Sequence, residues 1–218
     1  MSVYAFSDLH GNYVIWEAIK KIIKANDTLI CLGDNIDRGP DGIKIWLELR
    51  DRPRTVILKG NHEDMASNGI KDLINEEYFV PNSIQLWFWN GGDITWNSIK
   101  DWPTANLNTL ITDFKQLPKT ITYINSQDQI IYCDHAGFSF NNRDYEPYWD
   151  RSHFFEPTWP GKSNEFLIHG HTPVQYIQKK LAISKEDPNT MLTYCEGHKI
   201  DIDLHTYKTN KACLLDLD

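Results

Sequence analysis

Acidic residues, histidines and glycines fall together at five places in this chain. They are Ser7-Asp8-Leu9-His10-Gly11-Asn12, Gly33-Asp34-Asn35-Ile36-Asp37-Arg38-Gly39, Lys59-Gly60-Asn61-His62-Glu63, Asp134-His135-Ala136-Gly137 and His169-Gly170-His171-Thr172-Pro173. Carboxylate, amide and imidazole groups without cysteine suit Mn, Fe or Zn better than Ca or Mg, whose ligands are oxygens. Two such ions about 3.5–4 Å apart acidify a bound water and hold phosphoryl oxygens. Glycines beside the donors let the backbone turn sharply and approach the ions closely.

Taken singly, each motif has an ordinary explanation. Asp-x-His occurs in many loops, and Gly-Asp after a strand is often a turn. Asn61 suits the N-cap of a helix, and a lone His135 or His171 is ordinarily a hydrogen-bonded structural histidine. The joint pattern separates the two readings. Each motif follows an apolar run: Val3 to Phe6, Leu29 to Leu32, Val56 to Leu58, Ile130 to Cys133 and Phe166 to Ile168. In open α/β sheets, binding groups gather beyond the carboxyl ends of the strands, and neighbouring strands lie about 4.8 Å apart. Five such ends can surround one dinuclear centre.

The elements that must carry these ends are readable along the chain. The first part reads βαβαβ, with strands at Val3 to Ser7, Thr28 to Leu32 and Thr55 to Leu58. The first helix is expected to place Val14, Ile15, Ala18, Ile19, Ile22 and Ile23 on one apolar face. The second is expected to bury Ile43, Trp46 and Leu47. Alternating strands and helices predict an α/β fold of layered β-sheets flanked by helices. A helical insertion is expected over about 62–118, broken at Gly91-Gly92 and Pro103. Within it Trp87, Phe88, Trp89 and Trp96 are expected to close a hydrophobic core, with a wall of the substrate cleft as the alternative. Strands at Thr120 to Ile124 and Gln129 to Cys133 flank a polar turn at Ser126-Gln127-Asp128. Another strand is expected at Phe166 to His169. From Thr190 the chain reads as antiparallel strands with turns at Glu196-Gly197 and Thr209-Asn210. Residues 1–218 read as a single domain.

Composition narrows the partners. The chain has 218 residues, 41% of them apolar, and a formal net charge of −8. That length closes a substantial core. The acidic balance without a basic run argues against non-specific nucleic-acid binding; an anionic substrate needs metals and a few arginines to invert the field locally. Cys31, Cys133, Cys195 and Cys213 form no CxxC pair and no disulfide framework. With no export segment visible before Asp8 and no membrane-spanning run, a cytoplasmic location and no membrane partner are expected.

The order of the five motifs resembles the phosphoprotein phosphatase family of calcineurin-like metallophosphoesterases, and within it the small bacterial and bacteriophage serine/threonine phosphatases. The resemblance runs from Ser7 to Pro173, and Trp89-Asn90-Gly91-Gly92-Asp93-Ile94-Thr95 is similar to a further motif of the bacterial branch. It implies a catalytic metallophosphoesterase domain with two divalent ions, Mn²⁺ by preference and Fe or Zn as alternatives. Asp8 and His10 would hold the first ion, Asp34 would bridge, and Asn61, His135 and His171 would complete the second. His62 matches the family's general acid and Asp37 its hydrogen-bonded partner. Arg38 matches a phosphate-binding arginine; Arg151, in Tyr148-Trp149-Asp150-Arg151, resembles a second, with Arg143 competing for that role. Two features depart from the pattern. Ser7 stands where many relatives have Gly, and His169 adds an imidazole that suits a supporting or structural role better than a ligand's.

The implied reaction is hydrolysis of a phosphoric monoester by a metal-activated hydroxide. Arg38 and a second arginine would bind the remaining oxygens, and His62 would protonate the leaving oxygen. The implied substrate is phosphoserine or phosphothreonine in a protein. A dinucleoside polyphosphate of the diadenosine tetraphosphate type, or another nucleotide, is the alternative, although such hydrolases tend to be longer chains. A catalytically inactive metal-binding module is the third reading.

Overall fold

A computed structural model describes residues 1–75, 82–139, 148–156 and 158–218. Its centre is a pair of β-sheets packed face to face. The first contains β1 (Val3–Phe6), β2 (Thr28–Cys31), β3 (Thr55–Ile57) and β9 (Leu215–Asp216), in the order β3-β2-β1-β9. β1, β2 and β3 run parallel, and β9 pairs antiparallel with β1. The second sheet contains β4 (Thr120–Ile124), β5 (Ile130–Asp134), β6 (Glu165–His169), β7 (Leu192–Tyr194) and β8 (Lys199–Asp201), in the order β4-β5-β6-β8-β7. Its central strands β5, β6 and β8 are parallel, and its edge strands β4 and β7 are antiparallel to their neighbours.

Side-chain alternation along the strands builds three layers of core. Val3 and Ala5 of β1, with Ile30 of β2, face inward and meet Ile131, Cys133 and Ile168 from the second sheet. The alternate residues Phe6, Leu29 and Cys31 point the other way, into a helical layer. That layer is made by α1 (Tyr13–Ile22), α2 (Gly42–Asp51), α3 (Asn61–Ile74), α4 (Asn82–Trp89), α5 (Gly92–Ile99) and α6 (Thr104–Gln116). On the far side, Val174 and Ile177 of α7 (Val174–Leu181) pack with Leu192, Tyr194 and Phe154. The result is the expected α/β fold of layered sheets between helices.

Several sequence expectations need correction. The buried face of α1 is Trp16 and Ile19; Val14 and Ile22 are 77% and 59% exposed. Trp16 takes over that face because its indole N–H finds Glu48 Oε2 at 2.8 Å, so the large ring buries without an unpaired donor. In α2, Ile45 and Leu49 are buried beside Ile43 and Trp46, while Leu47 is only partly covered. The turn at Thr209-Asn210 does not join two antiparallel strands. It closes a one-turn helix, α8 (Thr206–Thr209), from which the chain crosses to β9 in the first sheet.

The insertion is helical as expected, with α3 to α6 spanning Asn61 to Gln116 around residues outside the described set. Its aromatic residues divide. Trp87 is fully buried, and Phe88 and Trp96 are partly buried against the same core. Trp89 does not belong to that core: it is 84% exposed. A helix turns about 100° per residue, so two tryptophans two positions apart lie on opposite faces. Trp89→Ser is therefore expected to change the unfolding free energy by no more than about 0.5 kcal/mol. A denaturant titration showing a loss above about 1.5 kcal/mol would restore Trp89 to the core.

Candidate metal centre

The five motif loops meet at one end of the sandwich, but they come from two sheets. β1, β2 and β3 deliver Asp8, His10, Asp34, Asn61 and His62; β5 and β6 deliver His135 and His171. Within the first sheet the loops continue the strand pairing. The Asp8 N–H donates to Gly33 O, that of His10 to Asp34 O, and that of Gly11 to Asn35 O. Across the sheets, the His171 N–H donates to Asp8 Oδ2 at 3.0 Å, and His135 Nδ1 bonds Leu32 O at 2.8 Å.

Backbone strain is concentrated here. Asp8, His10, Asp34, Asp37, Arg38 and His171, six of the ten residues singled out in the sequence, have left-handed φ between 44° and 66°. Each such non-glycine residue costs on the order of 1–3 kcal/mol, and such strain typically clusters where it orients functional groups. Two glycines are required by the same closeness. A side chain at residue 60 would place its Cβ 2.0 Å from Asp34 Oδ1, and one at residue 11 would meet Gly39 O at 2.4 Å.

Asp34 is the hub. Its Oδ2 lies 3.8 Å from both His10 Nε2 and His62 Nε2, and its Oδ1 lies 3.4 Å from His135 Nε2. Asn61 Oδ1 approaches His135 Nε2 at 3.1 Å and His171 Nδ1 at 2.9 Å. Two donors each about 2.1 Å from a shared ion stand about 3.0–3.4 Å apart, so these separations suit metal binding after small adjustments. The imidazole tautomers fit as well. His10 Nδ1 and His135 Nδ1 bond the carbonyls of Ile36 and Leu32, which leaves each Nε2 lone pair turned inward.

Three observations show that these residues fit a cationic group. First, Asp8 Oδ1 and His171 Nε2 are buried without a hydrogen-bond partner, a state that costs about 1–3 kcal/mol per atom in a folded protein. Second, buried carboxylates are crowded together. Burial, with repulsion from Asp34, pushes Glu63 up to about 7, and burial likewise raises Asp8. Third, burial opposes a charged His135, yet the carboxylates of Asp34, Asp8 and Glu63 outweigh it and lift this imidazole to about 10. The cluster draws positive charge.

Geometry offers two triads around Asp34. One is His10, Asp34 and His62; the other is Asp34, His135 and His171. The first puts His62 where the sequence assigned Asp8. His62, however, is engaged at both ring nitrogens, Nδ1 with Asp37 Oδ2 at 2.7 Å and Nε2 with Arg38 at 3.0 Å. Asp8 Oδ1 lies 3.8 Å from His10 Nε2 with no partner of its own. These contacts favour Asp8 over His62 as the ligand.

Around His62 the insertion acquires a purpose. Trp87 Nε1 donates to Asp37 Oδ2 at 2.9 Å, and the Thr95 hydroxyl donates to Asp37 Oδ1 at 2.6 Å. α4 and α5 thus fix the carboxylate that fixes His62. The turn between these helices also holds Arg38, whose N–H donates to Gly91 O at 3.1 Å. The Arg38 guanidinium forks across the two imidazoles, reaching His10 Nε2 at 2.9 Å and His62 Nε2 at 3.0 Å. A cation on His10 needs the lone pair that this fork uses, so the two exclude each other there. On the opposite flank, Arg151 Nε donates to Thr172 Oγ1 at 3.0 Å, beside His171. Arg143 lies outside the described residues.

Two further buried acids close to the cluster carried weaker sequence signals. Glu63 accepts from the N–H groups of Asp34, Asn35 and Gly60, so it ties the second motif to the third. Asp203 follows β8, is buried, and is raised by burial and by the charge of Asp8. Its Asp203-Leu204-His205 repeats the Asp8-Leu9-His10 pattern after a strand, a signal obscured by reading this region as antiparallel only. His169 stays out of the cluster: its Nε2 bonds the Tyr194 hydroxyl at 2.8 Å.

The family model of calcineurin-like phosphoesterases matches residues 1–205. The chain belongs to the calcineurin-like phosphoesterases. It is 29% identical over 143 residues to serine/threonine-protein phosphatase 2 of Escherichia coli (strain K12), covering 63% of this chain and 61% of that protein. It is 35% identical over 103 residues to the symmetrical bis(5'-nucleosyl)-tetraphosphatase of Buchnera aphidicola subsp. Acyrthosiphon pisum (strain 5A), covering 41% of this chain and 37% of that one. The chain thus spans less than two thirds of either relative. A cold-active protein tyrosine phosphatase solved at 1.1 Å shares the fold, with a TM-score of 0.61 and 19% identity over all of this chain and 73% of the other. In this calcineurin-like phosphoesterase, the His and Asp groups gathered around Asp34 are of the type that holds divalent ions.

Proposed function

We propose that this chain hydrolyses phosphoric monoesters at a dinuclear centre and that its substrates are proteins carrying phosphoserine or phosphothreonine. The observation that carries the reading is the line Asp37–His62–Arg38 set against Asp34, with His62 Nε2 3.8 Å from Asp34 Oδ2. Asp8 and His10 would hold one ion, Asn61, His135 and His171 the other, and Asp34 both. Bound there, divalent ions supply Lewis acidity and an acidified water. The donor set favours Mn²⁺, with Fe or Zn as alternatives.

The chain's own groups do the rest. Arg38 and Arg151 flank the cluster and present planar, charged N–H donors, the geometry that grips tetrahedral phosphate. When Arg38 turns its donors to phosphate, it releases His62 Nε2. That atom is then free to carry a proton to the leaving oxygen. Burial disfavours the charged ring, but Asp34 and Asp37 together outweigh burial and hold His62 above the ordinary histidine value. Asp37, locked by Trp87 and Thr95, keeps Nδ1 protonated and Nε2 aimed inward. The four cysteines are free, which supports a reducing, cytoplasmic setting. Among the described residues no helix is long and apolar enough to cross a membrane.

A second reading, cleavage of dinucleoside polyphosphates, is favoured by the 35% identity to the Buchnera enzyme. A phosphopeptide panel assayed beside diadenosine tetraphosphate, each with Mn²⁺, separates the two. Phosphoserine or phosphothreonine peptides are expected to be the faster substrates. Rapid cleavage of the dinucleotide with peptides untouched would hand the site to the second reading.

A further inference from the structure

Beyond β8 the chain brings an aromatic ring onto Arg38. The Tyr207 ring centroid lies 4.8 Å from the guanidinium carbon, inside the range of about 6 Å over which a cation is attracted to an aromatic face. The ring also meets His10 and His205 edge-on, with centroids 5.7 and 4.8 Å apart. We propose that Tyr207 is a positioning residue for phosphate binding, holding the Arg38 guanidinium at the mouth of the metal cluster. The proposal rests on the reading of Arg38 as a phosphate-binding group.

The kinds of contact Arg38 makes argue for this division of labour. Its hydrogen bonds to His10 and His62 use N–H donors on two different nitrogens. The first must leave when a cation takes His10 Nε2, and the second when a phosphate arrives. The contact with Tyr207 uses the ring face and no donor, so it persists through the exchange. A long arginine side chain loses rotamer freedom on binding, and a contact already limiting that freedom lowers the cost of engaging the anion. Tyr207 is 36% exposed, so the ring forms part of the rim rather than of the core.

The local chain is built to hold the ring there. Asp203 Oδ1 accepts the His205 N–H at 2.7 Å, and His205 takes a left-handed φ of 63° to start α8. Asn12 Nδ2 donates to Asn210 Oδ1 at 3.0 Å, which ties the end of α8 to the first motif. Asn12 Oδ1 meanwhile caps α1 by accepting the Ile15 N–H. Lys208 is a second cation near the same ring, at 5.5 Å, but it sits on the same short helix and needs no ring to place it.

The test compares Tyr207→Phe, Tyr207→Leu and Tyr207→Gln in the full chain with Mn²⁺, using inorganic phosphate as inhibitor and p-nitrophenyl phosphate as substrate. Tyr207→Leu and Tyr207→Gln are expected to raise the phosphate inhibition constant and KM by about two- to fivefold, the span of an exposed cation–π contact. Metal content should be unchanged and kcat should stay within about twofold. Tyr207→Phe, which keeps the ring, should behave as the parent. Should the leucine variant fold poorly, the glutamine variant carries the comparison. Unchanged phosphate inhibition in the folded variant would overturn the proposal, as would a phenylalanine variant as impaired as leucine. Arg38→Ala is the reference: if it binds phosphate like the parent, the reading of Arg38 itself fails. If it loses phosphate while Tyr207→Leu does not, only the role of Tyr207 fails.

Discussion

His62→Asn is expected to lower kcat by about 10²–10⁴-fold, the usual contribution of a positioned general acid, while both metal ions stay bound. The expectation follows from two contacts. His62 Nδ1 is tied to Asp37 Oδ2 at 2.7 Å, so Nε2 is the atom presented to the centre. That atom is held by Arg38 and not by a carboxylate, although Asp34 Oδ2 is only 3.8 Å away. The same substitution separates the two triads that geometry allows. If His62 were a ligand, its loss would empty one site, and metal content would fall with activity. If it is the acid, turnover falls at constant metal content. A substrate with a good leaving group needs less protonation, so p-nitrophenyl phosphate should lose less rate than a phosphoserine peptide. Equal turnover by parent and variant on both substrates would remove His62 from the mechanism.

More of the candidate site than of the scaffold's packing was legible in the sequence. Motifs built on Asp8, Asp34, Asn61, His135 and His171 were readable because each joins glycine and a metal donor directly to an apolar run, a local signal. In the structure His10, His62, His135 and His171 lie around Asp34. What stayed hidden was long-range. Nothing local to β5 and β6 says which of the layered sheets they belong to, so the sequence did not divide the five motif strands between the two sheets. The exposure of Trp89 depends on which face of α4 meets α3, a packing outcome that composition does not carry. Likewise, the roles of Trp87 and Thr95 depend on Asp37, which stands 50 and 58 residues earlier in the chain. A buried indole does need an acceptor, but the sequence could not name which. Asp203 had a local signal, the repeated Asp-x-His, and it was masked by the antiparallel β7–β8 hairpin in front of it.

Asp34→Asn is expected to produce the other large effect: loss of metal and activity together. Its two oxygens face different halves of the cluster, Oδ1 toward His135 at 3.4 Å and Oδ2 toward His10 at 3.8 Å. The amide removes one negative charge and puts either an NH₂ donor or a weaker neutral oxygen toward each ion. Replacing a group that merely supports a ligand costs about 10–100-fold in affinity or activity; a ligand shared by two ions should cost more. Burial disfavours the charged carboxylate, but His135, His62 and His10 outweigh burial and hold Asp34 well below the usual carboxylate range. The parent side chain is therefore ionised and ready to bridge. The check is metal analysis after dialysis, run beside a phosphatase assay. Parent-level metal content and activity in the asparagine variant would end the bridging assignment.

In the proposed centre Asp34 would bridge two metal ions, with Asp8 and His10 on one and Asn61, His135 and His171 on the other. Anomalous X-ray scattering from crystals grown with Mn²⁺ tests it most directly. Two peaks about 3.5–4 Å apart are expected, both in contact with Asp34, with His62 touching neither. A single peak, or a second ion bound by His62 in place of Asp8, would contradict it.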